Sequence, residues 1–501
     1  MTVRPRRPRR RHLQAALVAN LSAQAAIVAS QFVVGAITGR LFEPSVFGGF
    51  AAALSLQAVL TMVSSTGTPS YVLMAPAFTA GDLRRLRRFS ATSGILTAAV
   101  YVAVLPSWLS LLHVDTGVEF RWGLALTQLL SPMAALEVTL LRRGHRGVLD
   151  AAIVGTAAVC GLAVSGGAAA ATHAPATLAL APLTSVIITL FAAALLGRHA
   201  GVVPPGVASK RLTEVAAYLA KISGLNGAHF ALSQAPAWIL APVYGASTLG
   251  SYSRATALTT SASTSIGTAM TRAVQGYWRE QGGAQEFGRS VLYALRVTSG
   301  VSFPLFATVA VIGPSFIHVW LGEGWDLAAR LTVPLAIGGA FQVPYSVLSN
   351  AFEMRNQTHV VRNAQAAMVV WAAGAAAAAW LGADPTTTAA LLAAIPALGL
   401  AGLLWASRKT PPAPRAAVAA LASSALWAAV VAAGAYGGLL VIDAWTPGSS
   451  PTSYAARVAG GLLGGLAIAL ATTRLSPVAI VIRETRRLTA DQRSSSDHPE
   501  S

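Results

Sequence analysis

Runs of about 20 apolar residues recur along this chain from residue 13 to residue 475, separated by short polar breaks. Such a run, coiled as an α-helix, crosses about 30 Å of hydrocarbon. Of the 501 residues, 54% are hydrophobic and 11% are charged, whereas soluble proteins carry roughly 25% charged residues. The sequence therefore predicts an all-α polytopic membrane protein with no extramembrane domain between its spans.

About fourteen transmembrane helices are predicted. The basic leader "MTVRPRRPRRR" runs into a full-length span without a clear small-residue cleavage site, so the first span is interpreted as a retained anchor rather than a signal peptide. The predicted spans are approximately 13–39, 46–66, 89–111, 122–141, 149–171, 177–196, 218–243, 249–273, 290–313, 327–350, 360–382, 386–406, 416–442 and 453–473.

The formal charge of +18 follows the predicted topology. When the loops are assigned to alternate sides, 29 of the 36 Lys and Arg residues fall on the side of the N-terminus, three on the opposite side and four within spans. This is the positive-inside pattern, which predicts a cell membrane protein with both termini in the cytoplasm. The basic balance therefore indicates topology and attraction to membrane lipids, and we expect no nucleic-acid partner.

A short motif occurs twice, 202 residues apart: "LFEPSVFGGF" at 41–50 and "VYGASTLGSY" at 243–252. The helices that lead into it each carry a polar stripe. Asn20, Gln24 and Gln31 lie within roughly 40° of one another on a helix, and Asn226 and Ser233 within roughly 20°. The repeat predicts two similar six-helix bundles in parallel orientation, a relation that often places a transporter's substrate between the repeats.

The predicted organisation adds two helices to these bundles. The segments are a basic cytoplasmic leader (1–12), an N-terminal six-helix bundle (13–196), a cytoplasmic linker (197–217), a C-terminal six-helix bundle (218–406), a basic Pro-rich linker (407–415), helices 13 and 14 (416–473) and a cytoplasmic tail (474–501).

Cations within the spans are candidate binding groups, because charge in a bilayer usually faces a bundle interior or an aqueous cavity. Arg254 follows the second motif on a helix rich in Ser and Thr, which either lines water or bonds back to its own backbone. Arg296 and Lys221 lie near the predicted cytoplasmic surface, where snorkelling is the alternative. His229, near the middle of span 7, is either a buried neutral side chain or a proton-coupling group.

The sequence contains few motifs that would indicate an enzyme, a cofactor site or a metal site. It contains no phosphate-binding Gly-rich loop, no Ser-centred elbow and no His/Asp/Glu cluster with metal-ligand spacing, so we expect a protein that is not an enzyme and has no cofactor or metal. The Gly pairs of spans 13 and 14 indicate helix packing. Glu137, a turn before Arg142 and Arg143, predicts a local ion pair.

The order of these features resembles the oligosaccharide flippases, or polysaccharide biosynthesis proteins, of the multidrug/oligosaccharidyl-lipid/polysaccharide (MOP) exporter superfamily. The resemblance rests on "FEPSVFGGF", on "YGASTLGSYSRA" and on "IGPSFIHVWLGEGWDLAARLTVPLA", which is similar to the family's outer segment between spans 9 and 10. One departure is "SQAPAW" on span 7, which keeps Gln234 but has Pro236 where many relatives carry an acid.

The resemblance implies a flippase that moves an undecaprenyl-diphosphate-linked oligosaccharide to the outer leaflet by alternating access. Polysaccharide polymerase and glycosyltransferases are the protein partners it implies. Arg suits phosphate oxygens, so Arg254, Arg296 and then Lys221 are the expected diphosphate ligands. The remaining predicted substrate-binding residues are Asn20, Gln24, Gln31, Asn226, His229 and Gln234.

Two related functions remain as alternatives. Lipid II flippases usually carry charged residues in their first helix, where this chain has only Asn20, Gln24 and Gln31. MATE-like small-molecule exporters generally have twelve spans and an acidic lumen, which the composition here disfavours. A polysaccharide polymerase or ligase, from a different class, would need a larger outer loop.

Overall fold

The computed structural model describes residues 10–65, 72, 80–144, 146–197, 230–280, 283–355, 357–406, 414–446, 448–473 and 476–479, and in these ranges the chain has helices, short 3-10 turns and no strand. The helices are α1 (Arg10–Leu41), α2 (Pro44–Ser65), α3 (Ala80–Leu111), α4 (Arg121–Arg143), α5 (Gly147–Thr172), α6 (Leu180–Gly197), α7 (230–244), α8 (Ala246–Glu280), α9 (Ala284–Leu321), α10 (Asp326–Met354), α11 (Thr358–Trp380), α12 (Pro385–Ala393), α13 (Ile395–Ala406), α14 (Pro414–Trp445) and α15 (Pro451–Ala471).

Eleven of the described helical segments are long and apolar enough to cross a membrane. The predicted all-α polytopic class is therefore confirmed, whereas the count of fourteen spans is not. The predicted seventh span begins outside the described residues, and α8 and α11 are not among the eleven because polar side chains reduce their hydropathy. The predicted twelfth span is among the eleven, as Pro385–Ala406, but it is divided into α12 and α13. The division lies beside Pro396, which lacks the amide hydrogen that a continuous helix would use.

The chain forms two compact units, Met1–Gly250 and Ser251–Ser501. The bundle boundary predicted at 197–217 falls almost entirely outside the described residues and stays a prediction. In the first unit α1 packs on α5, α5 on α6, and α3 on both α2 and α4.

A buried amide ties three helices of the first unit together. The Gln128 side chain on α4 is 0% exposed, and its Nε2 donates to Ser64 Oγ at 3.2 Å and to Thr97 Oγ1 at 3.0 Å. Its Oε1 accepts a hydrogen bond from Thr61 Oγ1 at 2.7 Å. Because these partners lie on α2 and α3, one satisfied polar network fixes the register of α2, α3 and α4 in an apolar surrounding.

Large apolar side chains form the core of the second unit. Phe303 and Phe306 on α9 pack against Ala336 and Val343 on α10 and against Ala428 on α14. A buried hydrogen bond of 2.8 Å between the hydroxyls of Ser299 and Ser424 adds a polar link between α9 and α14. The last two helices are thus attached to the second unit through α9.

Glycines bring the last two helices into backbone contact. A Cβ atom built on Gly438 would overlap the Gly460 carbonyl oxygen, and one built on Gly464 would overlap the Gly434 carbonyl oxygen. Small residues at such spacing let membrane helices approach closely. This geometry is the helix packing that the sequence predicts for the Gly pairs of spans 13 and 14.

The two copies of the repeated motif meet within the first unit. A Cβ atom on Gly48 would overlap the Ala246 carbonyl oxygen, and a Cβ atom on Gly250 would overlap the Pro44 carbonyl oxygen and lie 2.8 Å from the Gly48 nitrogen. Gly48 and Gly250 are 202 residues apart, and so are Pro44 and Ala246. The contact is therefore reciprocal, as an approximate twofold relation between the two copies requires.

Candidate functional site

The second motif continues into α8, which carries Arg254 in its third turn. Arg254 is half-buried, and its neighbours Ser251, Tyr252 and Ala255 are 2%, 8% and 0% exposed. The equivalent residue of the first motif, 202 positions earlier, is Ala52, which is fully buried. The repeated scaffold therefore carries a guanidinium group at this position in one copy only.

The hydroxyl groups of α8 divide into two sets. Ser263 is buried, and its Oγ donates to the Thr259 carbonyl oxygen at 2.9 Å and to Gly339 on α10 at 3.4 Å. Thr264 is exposed and donates to the Thr260 carbonyl oxygen at 2.8 Å. Hydrogen bonds to the backbone of their own helix thus satisfy some of these hydroxyl groups. Thr260 and Thr264 are exposed, so they remain candidates for lining a water-filled path.

Arg296 lies on α9, twelve residues beyond the helix start at Ala284, which corresponds to about 18 Å along the axis. It is half-buried, between exposed Tyr293 and buried Thr298 and Ser299. The helix begins earlier than the sequence predicts, so Arg296 is farther from its end. Both Arg254 and Arg296 belong to the second unit.

The polar residues predicted on the first helix lie in the first unit. Gln24 and Gln31 are exposed on α1, seven residues apart and so on one face. Asn20 is within α1, but its side chain lies outside the described residues. Their assignment to a substrate path stays a prediction.

The predicted residues of span 7 are only partly described. Lys221, Asn226 and His229 lie outside the described residues. Gln234 is half-buried on α7, and its Nε2 donates to Ser233 Oγ at 3.2 Å. The Ser233 hydroxyl in turn donates to the Phe230 carbonyl oxygen at 2.7 Å. These contacts are local, so Gln234 and Ser233 are held by α7 itself.

The prediction that Glu137 pairs locally with Arg142 or Arg143 is wrong. Glu137 is buried and accepts a 2.7 Å hydrogen bond from Arg87 Nε on α3, whereas Arg142 pairs with Asp150 on α5 at 2.8 Å. Sequence proximity favoured the local pair, but the α3–α4 packing brings Arg87 to the carboxylate. The buried Gln128 network was not predicted either, because its partners lie 31 to 67 residues away and no spacing indicates them.

Among the residues that the structure describes, no group of three or more His, Cys, Asp or Glu side chains could hold a metal ion.

Comparisons with known proteins agree with this architecture. The family described as "Polysaccharide biosynthesis protein" matches residues 37–330. The structure of a lipid II flippase MurJ in an inward closed conformation is similar over 93% of this chain and 98% of its own length, with a TM-score of 0.56 and 11% identity. The structure of the eukaryotic MATE transporter AtDTX14 is similar over 82% and 99%, with a TM-score of 0.51 and 13% identity. A search of curated protein sequences finds no significant match.

The family match covers more than half of the chain, and each structural likeness extends over most of this chain and most of the compared chain. At such low identity the likenesses establish the fold, which is that of membrane transporters, while the family match establishes kinship. The family resemblance found in the sequence is confirmed: the chain belongs to the polysaccharide biosynthesis protein family.

Proposed function

We propose that this transporter flips an oligosaccharide linked to undecaprenyl diphosphate from the cytoplasmic to the outer leaflet of the cell membrane by alternating access. The family match over residues 37–330 carries the proposal, because it links the chain to polysaccharide biosynthesis. A fold shared with a lipid II flippase supports the general task of moving a lipid-linked glycan. Protein partners would then be the glycosyltransferases that build the repeat unit and the polymerase that extends it.

The diphosphate is the part of this substrate that crosses the hydrocarbon layer least readily without a protein. Moving its negative charge through a membrane requires fixed positive charge, and Arg matches phosphate oxygens with planar, paired hydrogen bonds. We assign this role to Arg254 and Arg296, which are both half-buried on helices of one unit. Lys221 is the third candidate, and it is outside the described residues.

The sugar part needs hydrogen-bonding groups rather than charge. Asn20, Gln24 and Gln31 on α1, with Asn226, His229 and Gln234 on span 7, are the proposed polar path. The exposure of Gln24 and Gln31 on one face of α1 supports this role. Both termini are proposed to lie in the cytoplasm, on the evidence of the charge asymmetry.

A flipping assay with three substrates tests the function. Purified protein in proteoliposomes is supplied with an undecaprenyl-diphosphate oligosaccharide, with lipid II or with a cationic dye, and transfer is followed by enzymatic or quencher access from one side. The proposal expects transfer of the undecaprenyl-diphosphate oligosaccharide. Transfer of lipid II alone or of the dye alone would replace the proposal with the corresponding alternative.

A labelling experiment tests the polar path. In a Cys160→Ser background, Gln24→Cys is treated with a membrane-impermeant thiol reagent, and Glu43→Cys, exposed within the first motif, serves as the control. Asn226→Cys is treated in the same way. We expect reaction at positions 24 and 226 in at least one transport state. Complete protection at both, with labelling at position 43, would place them in lipid or in packed core.

A further inference from the structure

The first three turns of α3 carry an exposed basic face. The helix begins at Ala80, nine residues before the predicted span, and its initial segment reads "AGDLRRLRR". Arg84, Arg85 and Arg88 are exposed, whereas Arg87 and Asp82 are half-buried. We call Arg84, Arg85 and Arg88 the α3 basic face.

Neighbouring arginines in the same unit have structural partners. Arg87 pairs with buried Glu137, and Arg142 pairs with Asp150. Arg143 donates to the Val72 carbonyl oxygen at 2.5 Å, and Arg146 donates to the Leu196 carbonyl oxygen at 3.0 Å, near the end of α6. These four hold helices together, so packing explains them. The α3 basic face is at the surface and calls for a different explanation.

The same side of α3 changes from basic to apolar just beyond Arg88. Phe89, Ile95 and Leu96 are 41%, 60% and 65% exposed, and Leu111 at the helix end is 66% exposed. At about 100° per residue, Ile95 and Leu96 fall within the arc spanned by the basic face and Phe89. This outward side is therefore the one that contacts lipid.

Helix length sets the depth of the basic face. From Phe89 to Leu111 the helix rises about 33 Å, close to the roughly 30 Å thickness of the hydrocarbon layer. Arg84, Arg85 and Arg88 then lie at the level of the lipid headgroups, at the end of α3 that the charge asymmetry assigns to the cytoplasm. Guanidinium groups at this level would be within reach of lipid phosphates.

We propose that the α3 basic face is a binding site for the phosphate-bearing headgroup of a membrane lipid. The guanidinium groups are the recognition elements, because they pair with phosphate oxygens through charge-assisted hydrogen bonds. The headgroup belongs either to an anionic phospholipid or to a polyprenyl diphosphate, and both present the same chemistry. This site shares no residue with the proposed diphosphate ligands Arg254 and Arg296, and it does not depend on the proposed transport activity.

Retained lipid tests the site directly. Full-length protein is reconstituted in vesicles of phosphatidylcholine mixed with phosphatidylglycerol, or with a polyprenyl diphosphate, and then re-extracted. Mass spectrometry measures the ratio of anionic to zwitterionic lipid that stays bound. We expect Arg84→Gln/Arg85→Gln/Arg88→Gln to lower that ratio at least about fivefold, because basic residues near the surface act additively on anionic lipid.

A matched triple variant separates the site from net charge. Arg289, Arg362 and Arg415 are exposed on α9, α11 and α14, so Arg289→Gln/Arg362→Gln/Arg415→Gln removes the same charge without removing a cluster. We expect this control to retain wild-type binding. Equal losses in the two triple variants, or no loss in the α3 variant, would overturn the proposal.

The two lipid arms identify the headgroup. Loss in the phosphatidylglycerol arm alone identifies a phospholipid site, loss in the diphosphate arm alone identifies a site for the carrier lipid, and loss in both shows general phosphate recognition. Circular dichroism and thermal unfolding of each variant verify folding, and a single exchange, Arg88→Gln, provides a milder variant if the triple exchange misfolds. Failure of the flipping assay with retained lipid binding would reject the proposed function and leave this site standing.

Discussion

Adding a methyl group at the reciprocal glycine contact tests whether the two motif copies hold each other in place. In Gly250→Ala, the new Cβ would overlap the Pro44 carbonyl oxygen and sit 2.8 Å from the Gly48 nitrogen. An ordinary contact needs at least 3.4 Å, so the backbones must separate at the Gly48 nitrogen and by a larger distance at the Pro44 carbonyl oxygen, which lies closer still. Gly48→Ala meets the same obstacle at Ala246. Because backbone atoms cannot rotate away, we expect each exchange to cost about 1–3 kcal/mol.

The expected loss is measured as the free energy of unfolding in mixed micelles. Gly167 on α5 is the control, since a Cβ there meets nothing within 4 Å and alanine should stabilise the helix by about 0.5–1 kcal/mol. The double variant Gly48→Ala/Gly250→Ala should lose less than the sum of the single losses, because one separation of the backbones relieves both overlaps.

A second readout detects separation without unfolding. Thr248, 7% exposed beside the contact, is changed to Cys in the Cys160→Ser background. Gly48→Ala should raise its rate of reaction with a thiol reagent, because the neighbouring backbones must part. If the free energy of unfolding and the labelling rate at position 248 both stay unchanged, the two motif copies are not in close backbone contact.

Three further predictions concern buried polar groups and a helix cap. Gln128→Leu should lower the free energy of unfolding by about 1–3 kcal/mol, since the buried hydroxyls of Ser64 and Thr97 and the half-buried hydroxyl of Thr61 lose their partner, and an unchanged free energy of unfolding would contradict the network. Arg87→Met should destabilise more than Glu137→Gln, because it leaves a buried carboxylate alone, and adding Glu137→Gln to Arg87→Met should recover part of the loss. The pKa of Asp384 is lowered by hydrogen bonds from the side chain and then the backbone of Thr387. This cap should stabilise above the unfolded-state pKa of about 3.9 and weaken as pH falls through the lower folded-state value, so an Asp384→Asn variant should lack that part of the pH dependence in unfolding titrations.

The sequence predicts the architecture well because a bilayer imposes local rules. Each span needs about 20 apolar residues, whatever its neighbours are. The repeat was visible in the same way, since Gly48 and Gly250 lie in similar short motifs, but the contact between the two copies was not predicted, because the 202-residue offset indicates equivalence and not proximity. Helix ends were less predictable, because polar residues extend α3 back to Ala80 beyond the hydrocarbon.

Long-range polar contacts were not predictable from spacing. Glu137 has Arg142 and Arg143 close by in sequence, yet it pairs with Arg87, fifty residues away, because α3 packs against α4. Nothing in the sequence distinguishes Gln128 from other amides within the spans, because its partners come from α2 and α3. The roles of Arg254 and Arg296 remain predictions for a related reason, since a substrate site depends on tertiary arrangement rather than on residue type.

The measurement that tests the central claim most directly is the rate at which the protein flips an undecaprenyl-diphosphate oligosaccharide in proteoliposomes. We compare wild type, Arg254→Gln/Arg296→Gln and the charge-matched control Arg289→Gln/Arg362→Gln. The account predicts rapid flipping by wild type and control, and a loss of at least about 100-fold in the Arg254/Arg296 variant, because two charge-assisted contacts of about 1.5–3 kcal/mol each disappear. Equal rates in all three proteins would contradict it.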